Sequence, residues 1–303
     1  MPGNYELVQL ANGAKTLFSA SYGEKMHPGL GPQAEAELLY TGQLRVCERL
    51  TNHSGEFVIW DVGLGGAANA IAALRATREI SGQLRIISFD DTSEPLEFAL
   101  QNAAALGYFA GYENQIEELL RSRRIEFPNG RSSVAWEFHV GDFPEQMKSL
   151  SPSDGERVAV RPGEEKFPPP HAIFYDAFSP AKNPAMWTLA VFENLFRALD
   201  PQRPCALTTY SRSTMIRATM LLAGFFVGIG QATGTKEETT IAANTLDLIA
   251  EPLDLDWLRR AARSDSAEPL RKPLHCRQEL SPKTLEELSR HPQFNSAPAK
   301  ESR

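Results

Sequence analysis

The chain has 303 residues, 42 % of them hydrophobic, with 31 Lys and Arg against 38 Asp and Glu. That is enough apolar material for one large core, and no run approaches the ~18 uncharged apolar residues of a membrane span. Three scattered cysteines (Cys47, Cys205, Cys276) offer neither a disulfide set nor a metal spacing, and Met1-Pro2-Gly3-Asn4 lacks the features of a signal peptide, so a reducing cytoplasm is expected. A net charge of −7, with no basic patch beyond Arg121 to Arg124 and the tail, argues against extensive gripping of a nucleic-acid backbone.

In chain order, Tyr5 to Leu10 and Lys15 to Ala20 flank Asn12-Gly13, which predicts a β-hairpin. Residues 33–50 read as a helix, with Leu38, Leu39, Leu44 and Val46 apolar. Strands are expected near 57–62, 84–89, 134–140, 172–176, 204–210, 225–231 and 238–244, and helices near 67–79, 94–106, 113–124, 184–199 and 213–223. Alternating strands and helices imply an α/β fold with a seven-stranded, mostly parallel sheet. The last two strands, closely spaced, suggest a C-terminal antiparallel hairpin. Residues 151–170, with five prolines, read as a surface insertion. Beyond about 252 the chain is charged and proline-broken, with one short helix near Pro282 to Arg290 and a disordered end over the last ten residues. The expected organisation is an N-terminal extension over 1–50, a main domain over 51–250 and a tail over 251–303.

Chemistry is expected where the strands end, because ligands of open α/β sheets bind outside the carboxyl ends of the strands. Phe57 to Asp61 runs into Val62-Gly63-Leu64-Gly65-Gly66 and an Ala-rich helix. Glycines permit a tight turn and close approach of a ligand, and a helix start offers free N–H groups. Position 68 is Ala68, which the dinucleotide fingerprint tolerates, so this turn alone does not exclude NAD. The next strand ends in Asp90-Asp91, at the usual place for a ribose-binding acid; later strands end at Asp142 and Asp176. Asp61, Asp90, Asp142 and Asp176 would form an acidic crevice, better suited to a cationic, ribose-bearing cofactor than to a phosphate-rich one. After Asp176, a loop stiffened by Pro180 and Pro184 could orient a small reacting group.

The stretch Asp176-Ala177-Phe178-Ser179-Pro180-Ala181-Lys182-Asn183-Pro184-Ala185-Met186-Trp187-Thr188 carries a resemblance. It is supported by the glycine turn ending in Asn69, by Ser88-Phe89 plus an acid, by Ala223-Gly224-Phe225-Phe226, and by Tyr22-Gly23-Glu24, His27, Gly31 and Ala34-Glu35. Over about residues 5 to 250 the chain resembles class I S-adenosylmethionine-dependent methyltransferases of Rossmann-like fold. It is most similar to the methyltransferase domain of the MnmC family, bacterial enzymes that finish 5-methylaminomethyl-uridine at the tRNA wobble position. The resemblance implies S-adenosyl-L-methionine as cofactor, no metal, and N-methylation of a 5-aminomethyl group on tRNA as a transient partner. A further protein would supply the aminomethyl precursor. It assigns Gly63, Gly65 and Asn69 to the methionine part, Glu35 to its ammonium, Asp90 to the ribose and Asp142 to the adenine amine, with Asp61 beside them. Asp176 would both border the cofactor and act as the catalytic group that aims the amine. Phe178, Pro180, Lys182 and Lys236 fall on the substrate side.

Two departures stand out. Fused members of that family carry an FAD-dependent oxidase domain, for which 303 residues leave no room, so a methyltransferase-only chain is expected. The family's basic loop in the last hairpin is replaced by Gly228 to Glu238, with one Lys and two Glu. Three other readings stay open: a methyltransferase acting on another small-molecule or protein amine, which that acidic loop favours; a spermidine-synthase-like aminopropyl transferase, against which the 176–188 motif speaks; and a non-catalytic cofactor-binding partner of RNA-modifying machinery.

Overall fold

Alternation along single strands sets the architecture. In β4 (Glu56–Val62), Phe57 and Ile59 point into one hydrophobic core while Val58, Trp60 and Val62 point into another. In β8 (Ala172–Tyr175), Ala172 and Phe174 face the first core, Ile173 and Tyr175 the second. Strands apolar on both faces belong at the centre of a sheet covered on both sides. A computed structural model describing residues 4–148, 167–234 and 236–295 shows that arrangement.

The remaining strands of the main sheet are β5 (Gly82–Asp90), β6 (Arg124–Asn129), β7 (Ser132–Val140), β9 (Ala206–Thr209), β10 (Phe226–Gly230) and β11 (Thr239–Ala243). Three short strands precede them: β1 (Tyr5–Gln9), β2 (Lys15–Ser19) and β3 (Glu24–Lys25). The main sheet runs β10-β11-β9-β8-β4-β5-β7-β6, and β9, β8, β4, β5 and β7 are mutually parallel. Its connections leave in opposite directions on the two sides of β4, so the crevice opens at the carboxyl ends of β4 and β8.

The first core is covered by α1 (Pro32–Glu35), a π-helical turn (Ala36–Gly42), α2 (Val46–Thr51), α3 (Ala68–Thr77), α4 (Glu94–Gln101), α5 (Ala103–Leu106) and α6 (Glu113–Ser122). On the opposite face lie α7 (Phe143–Lys148), α8 (Leu189–Arg197), α9 (Thr214–Leu222), α10 (Leu255–Ala261), α11 (Pro282–Ser289) and α12 (Pro292–Asn295). Thr188, Asp254 and Ser281 cap α8, α10 and α11 by accepting from N–H groups three residues on.

All seven expected strands form, and the antiparallel hairpin is β10–β11. Three features differ from expectation. An eighth strand, β6, pairs antiparallel with β7 at the sheet edge. The chain leaves α6 through Arg123 at φ 64° and carries Pro128 where an edge strand can spare a donor. The helix expected over 33–50 is broken, with Arg45 left-handed between its pieces. Gln43 is drawn to the sheet, its Nε2 donating to Thr208 Oγ1 at 2.6 Å and its Oε1 accepting from the Gln231 N–H at 2.6 Å. Those bonds outweigh an unbroken helix.

The third difference lies beyond 252. The short helix expected there is α11, but α10 and α12 accompany it, and Trp257, Leu258, Leu270, Leu288 and Phe294 are buried in the second core. Gln293 accepts from the Val227 N–H and donates to the carbonyls of Val227 and Leu253, sealing part of the edge strand β10. Most of the expected 151–170 insertion, and the chain end from 296, lie outside the described residues. No helix among the described residues is long and apolar enough to cross a membrane.

Candidate active site

The glycine turn after β4 is dictated by a close approach. Gly63 sits at φ +89°, and a Cβ there would lie 2.6 Å from the Asp176 carbonyl oxygen. Only glycine lets the tips of β4 and β8 meet this closely. The turn is fastened from the β5 tip, where Asp90 Oδ2 accepts from the Gly65 N–H at 2.7 Å. Burial, with the Asp91 carboxylate beside it, pushes Asp90 well above the usual carboxylate range.

The loop after β8 is held on three sides. Trp187, itself buried, donates its indole N–H to the Phe178 carbonyl at 2.8 Å. Glu24 on β3 accepts from the Ser179 N–H at 3.0 Å and from its hydroxyl. Tyr22 stacks on Phe178 with ring centroids 4.1 Å apart and donates to Asp91. The small N-terminal sheet therefore roofs the crevice, tying the β8 loop to the β5 tip.

Beneath that roof is a cavity of about 560 Å³, within the usual range for small-molecule sites. Glu35, Gly63, Gly65, Asp90, Asp142, Asp176, Phe178, Pro180 and Lys236 all line it, as the sequence reading expected of cofactor- or substrate-contacting groups. Three expected residues are placed elsewhere. Asn69 is buried behind the wall, its Nδ2 donating to Asp176 Oδ2 at 2.9 Å, so it sets that carboxylate rather than facing the cavity. Lys182 is exposed outside the cavity, near Gly23. Asp61 lines no part of the cavity: it is fully buried beneath the glycine turn, where its Oδ2 accepts from Ser88 Oγ, which in turn accepts from the Trp136 indole N–H. Alternation along β4 puts the Asp61 side chain on the same face as Phe57 and Ile59, over the first core and away from the crevice.

Glu35 and Asp142 are partly committed to the backbone. Glu35 Oε1 accepts from the N–H groups of Gly29 and Leu30 at 2.6 and 2.7 Å, leaving Oε2 toward the cavity. Asp142 accepts from the Glu145 N–H at the start of α7. Among the lining residues that sequence reasoning left off its site are those of the roof, Tyr22, Glu24, Met26 and His27. They lie on and around the two-residue strand β3, whose contacts with the loop after β8 form only when it folds over the sheet. Tyr22, Glu24 and His27 did figure in the motif, which was the available signal.

Burial pushes the Asp61 carboxyl up to about 7, with the Asp176 charge adding and the Ser88 hydrogen bond opposing. Its contribution to stability is thus fully present below the ordinary carboxylate value and lost as pH rises toward 7. Wild-type protein should accordingly lose melting temperature relative to Asp61→Asn between pH 4 and pH 8. Parallel melting curves for the two proteins across that range would show that Asp61 titrates normally.

The donor set suits a cation bearing a ribose: six carboxylates (Glu24, Glu35, Asp90, Asp91, Asp142 and Asp176) line the cavity, and its apolar walls include Leu64, Phe89 and Phe143. At Gly65 the backbone, at φ +51°, disfavours a side chain, and a Cβ there would sit 3.2 Å from Met26 Sδ on the cavity wall. S-adenosylmethionine fits these requirements. Residues 116–245, which include Asp142, the 176–188 stretch and the last hairpin, match a family described as S-adenosyl-L-methionine-dependent methyltransferase. Fold, cavity and match define the class: an S-adenosylmethionine-dependent methyltransferase of Rossmann-like fold.

Within that class the chain is related to the methyltransferase domain of MnmC. It is 28 % identical over 242 residues to the tRNA 5-methylaminomethyl-2-thiouridine biosynthesis bifunctional protein MnmC of Aeromonas hydrophila, covering 75 % of this chain and 34 % of that protein. The same-named protein of Stutzerimonas stutzeri is 27 % identical over 258 residues, covering 81 % and 36 %. The chain thus spans about a third of the length of these curated relatives. The crystal structure of MNMC2 from Aquifex aeolicus superposes with a TM-score of 0.63 at 25 % identity, covering 94 % of this chain and 82 % of that one.

Proposed function

We propose that the chain transfers a methyl group from S-adenosylmethionine to the 5-aminomethyl nitrogen of the tRNA wobble uridine. The observation that carries this reading is the position of Asp176: a cavity-lining carboxylate held by Asn69, between the glycine turn and the stacked pair Tyr22–Phe178. When bound, the cofactor supplies a methyl already activated on a sulfonium. Asp90 would hold the ribose, and the turn at Gly63 and Gly65 the methionine part. Asp176 would accept an N–H of the amine and aim its lone pair. The roof formed by β3 and its flanking residues would keep water away during transfer.

The mouth supports RNA as the acceptor. Lys25, Lys182 and Arg212 are exposed and form no ion pair among the described residues, and all three lie by the cavity or next to residues that line it. Lys236 rests 3.2 Å from the centre of the Tyr210 ring and donates to the Tyr210 carbonyl. Burial, together with nearby Arg212, lowers it to about 8. The acidic character of the 228–238 loop is also smaller than its composition suggests. Glu238 is spent on buried Arg217 at 3.0 Å, leaving Glu237 as the loop carboxylate with no ion pair among the described residues. An acidic floor for a cationic cofactor and a basic rim for phosphates is a workable division of charge despite the net −7.

The test is mass spectrometry of wobble uridines in total tRNA from a strain lacking this chain. The expected result is accumulation of the 5-aminomethyl nucleoside with loss of its methylated product, reversed by the wild-type chain. Unchanged nucleosides would remove tRNA as the substrate. In vitro, Lys182→Glu combined with Arg212→Glu should weaken tRNA binding and flatten its dependence on salt by roughly 0.7–0.9 for each phosphate that is no longer neutralised. An unaltered salt slope would place the RNA elsewhere.

A further inference from the structure

His27 stands out among the cavity residues in two ways. Its backbone is left-handed at φ 48°, a conformation uncommon outside glycine and costly unless its surroundings impose it. Here they do: Glu35 Oε1 accepts from both Gly29 and Leu30, pinning the turn that follows. The ring it presents lies between two carboxylates, Nδ1 at 3.8 Å from Glu35 Oε2 and Nε2 at 3.5 Å from Asp176 Oδ2. Both spacings are too long for a good hydrogen bond, so neither ring nitrogen is committed to a strong partner.

Of the other titratable groups around the amine's expected position, the carboxylates and Lys236 are engaged, and burial pushes up the Tyr40 and Tyr210 phenols, Tyr210 to about 12, so neither phenol is a base near neutral pH. Asp176 accepts from Asn69, Glu35 holds its turn, and Lys236 is seated on Tyr210. Tyr40, fully buried behind Asp176, is driven far above its ordinary value by burial and the Asp176 charge. Glu24 is bound to Ser179. An aliphatic amine is protonated near neutral pH and cannot attack until it loses a proton. Asp176 alone would favour the charged amine.

We propose that His27 is the proton acceptor that frees the amine for attack, a role that rests on the aminomethyl-uridine reading above. The aminomethyl ammonium gives one proton to Nε2. Its lone pair then forms the N–C bond while the S–C bond breaks, with that electron pair passing to sulfur. The product leaves as a methylated ammonium, and His27 returns its proton to solvent through the mouth. Asp176 and Glu35 flank the ring, so the charge it takes up on accepting the proton is matched on both sides.

The left-handed backbone makes a clean test available. In His27→Gly the glycine adopts this conformation freely, and in His27→Asn the asparagine tolerates it, so both remove the ring without straining the turn. The measurement is single-turnover methyl transfer to tRNA carrying 5-aminomethyl-uridine, with cofactor affinity by calorimetry. Both variants should bind S-adenosylmethionine within a few-fold of wild type and lose on the order of 10²-fold in rate. Added imidazole should restore much of the His27→Gly rate by entering the vacated space. A wild-type rate in either variant, or a loss that imidazole leaves untouched, overturns the role of His27 while leaving the acceptor intact. No transfer by the wild-type protein overturns the acceptor reading and this proposal with it.

Discussion

Asp176→Ala should lower kcat and kcat/KM together, on the order of 10²-fold or more, while S-adenosylmethionine affinity changes by less than tenfold. The carboxylate would act mainly in the transition state, where it aims the lone pair of the amine. The structure adds a folding cost that has to be separated from this loss. Asn69 Nδ2 donates to Asp176, and Asn69 Oδ1 has no partner among the described residues, so the alanine variant strands a buried amide. Asp176→Asn keeps the shape and an acceptor oxygen but not the charge. Comparing melting temperatures and single-turnover rates of both variants separates aiming from scaffolding. Near-wild-type methylation by folded Asp176→Ala would reduce this residue to a cap of its loop.

The second large effect is expected at Asp90. Asp90→Ala should weaken S-adenosylmethionine binding by about ten- to a hundredfold. A hydrogen bond to a carboxylate is worth ~1.5–3 kcal/mol, and ~1.4 kcal/mol is a factor of ten. Part of the loss has a cause that no strand-tip pattern reveals. Asp90 Oδ2 also accepts from the Gly65 N–H, so the variant loosens the glycine turn as well as the ribose contact. Asp90→Asn, which still offers an acceptor to Gly65, should fall between alanine and wild type. A dissociation constant unchanged in Asp90→Ala would remove the ribose assignment. The two central predictions therefore separate by readout, Asp176 in rate and Asp90 in affinity.

Much of the scaffold was legible because burial leaves a periodic trace. Central strands covered on both faces read as unbroken apolar runs, as β4 and β8 do. Their tips were legible too, since the turn residues and acids that follow such runs differ sharply from them. Edge elements leave weaker traces. β6 contains Pro128 and is half-solvated, and α10 and α12 sit among charges because only a few of their side chains reach the core. The break after Gly42 depends on Gln43 finding Thr208, 165 positions away, and no local pattern encodes that.

The order of strands and helices, the acidic strand tips and the 176–188 loop are all written locally, because they depend on neighbours one to four positions apart. Packing across the crevice selects which of those acids reach the ligand. Asp61 and Asp90 end adjacent strands in similar sequence settings, yet one is turned into the sheet beneath Ser88 while the other fastens Gly65 and lines the cavity. Packing also brings residues 22–27, before the main sheet, over a loop some 150 residues later through Glu24–Ser179 and Tyr22–Phe178. The reason is physical: a side chain's direction along a strand is set by a two-residue period, but its partner is set by which elements meet across the crevice, and that pairing exists only in the folded chain.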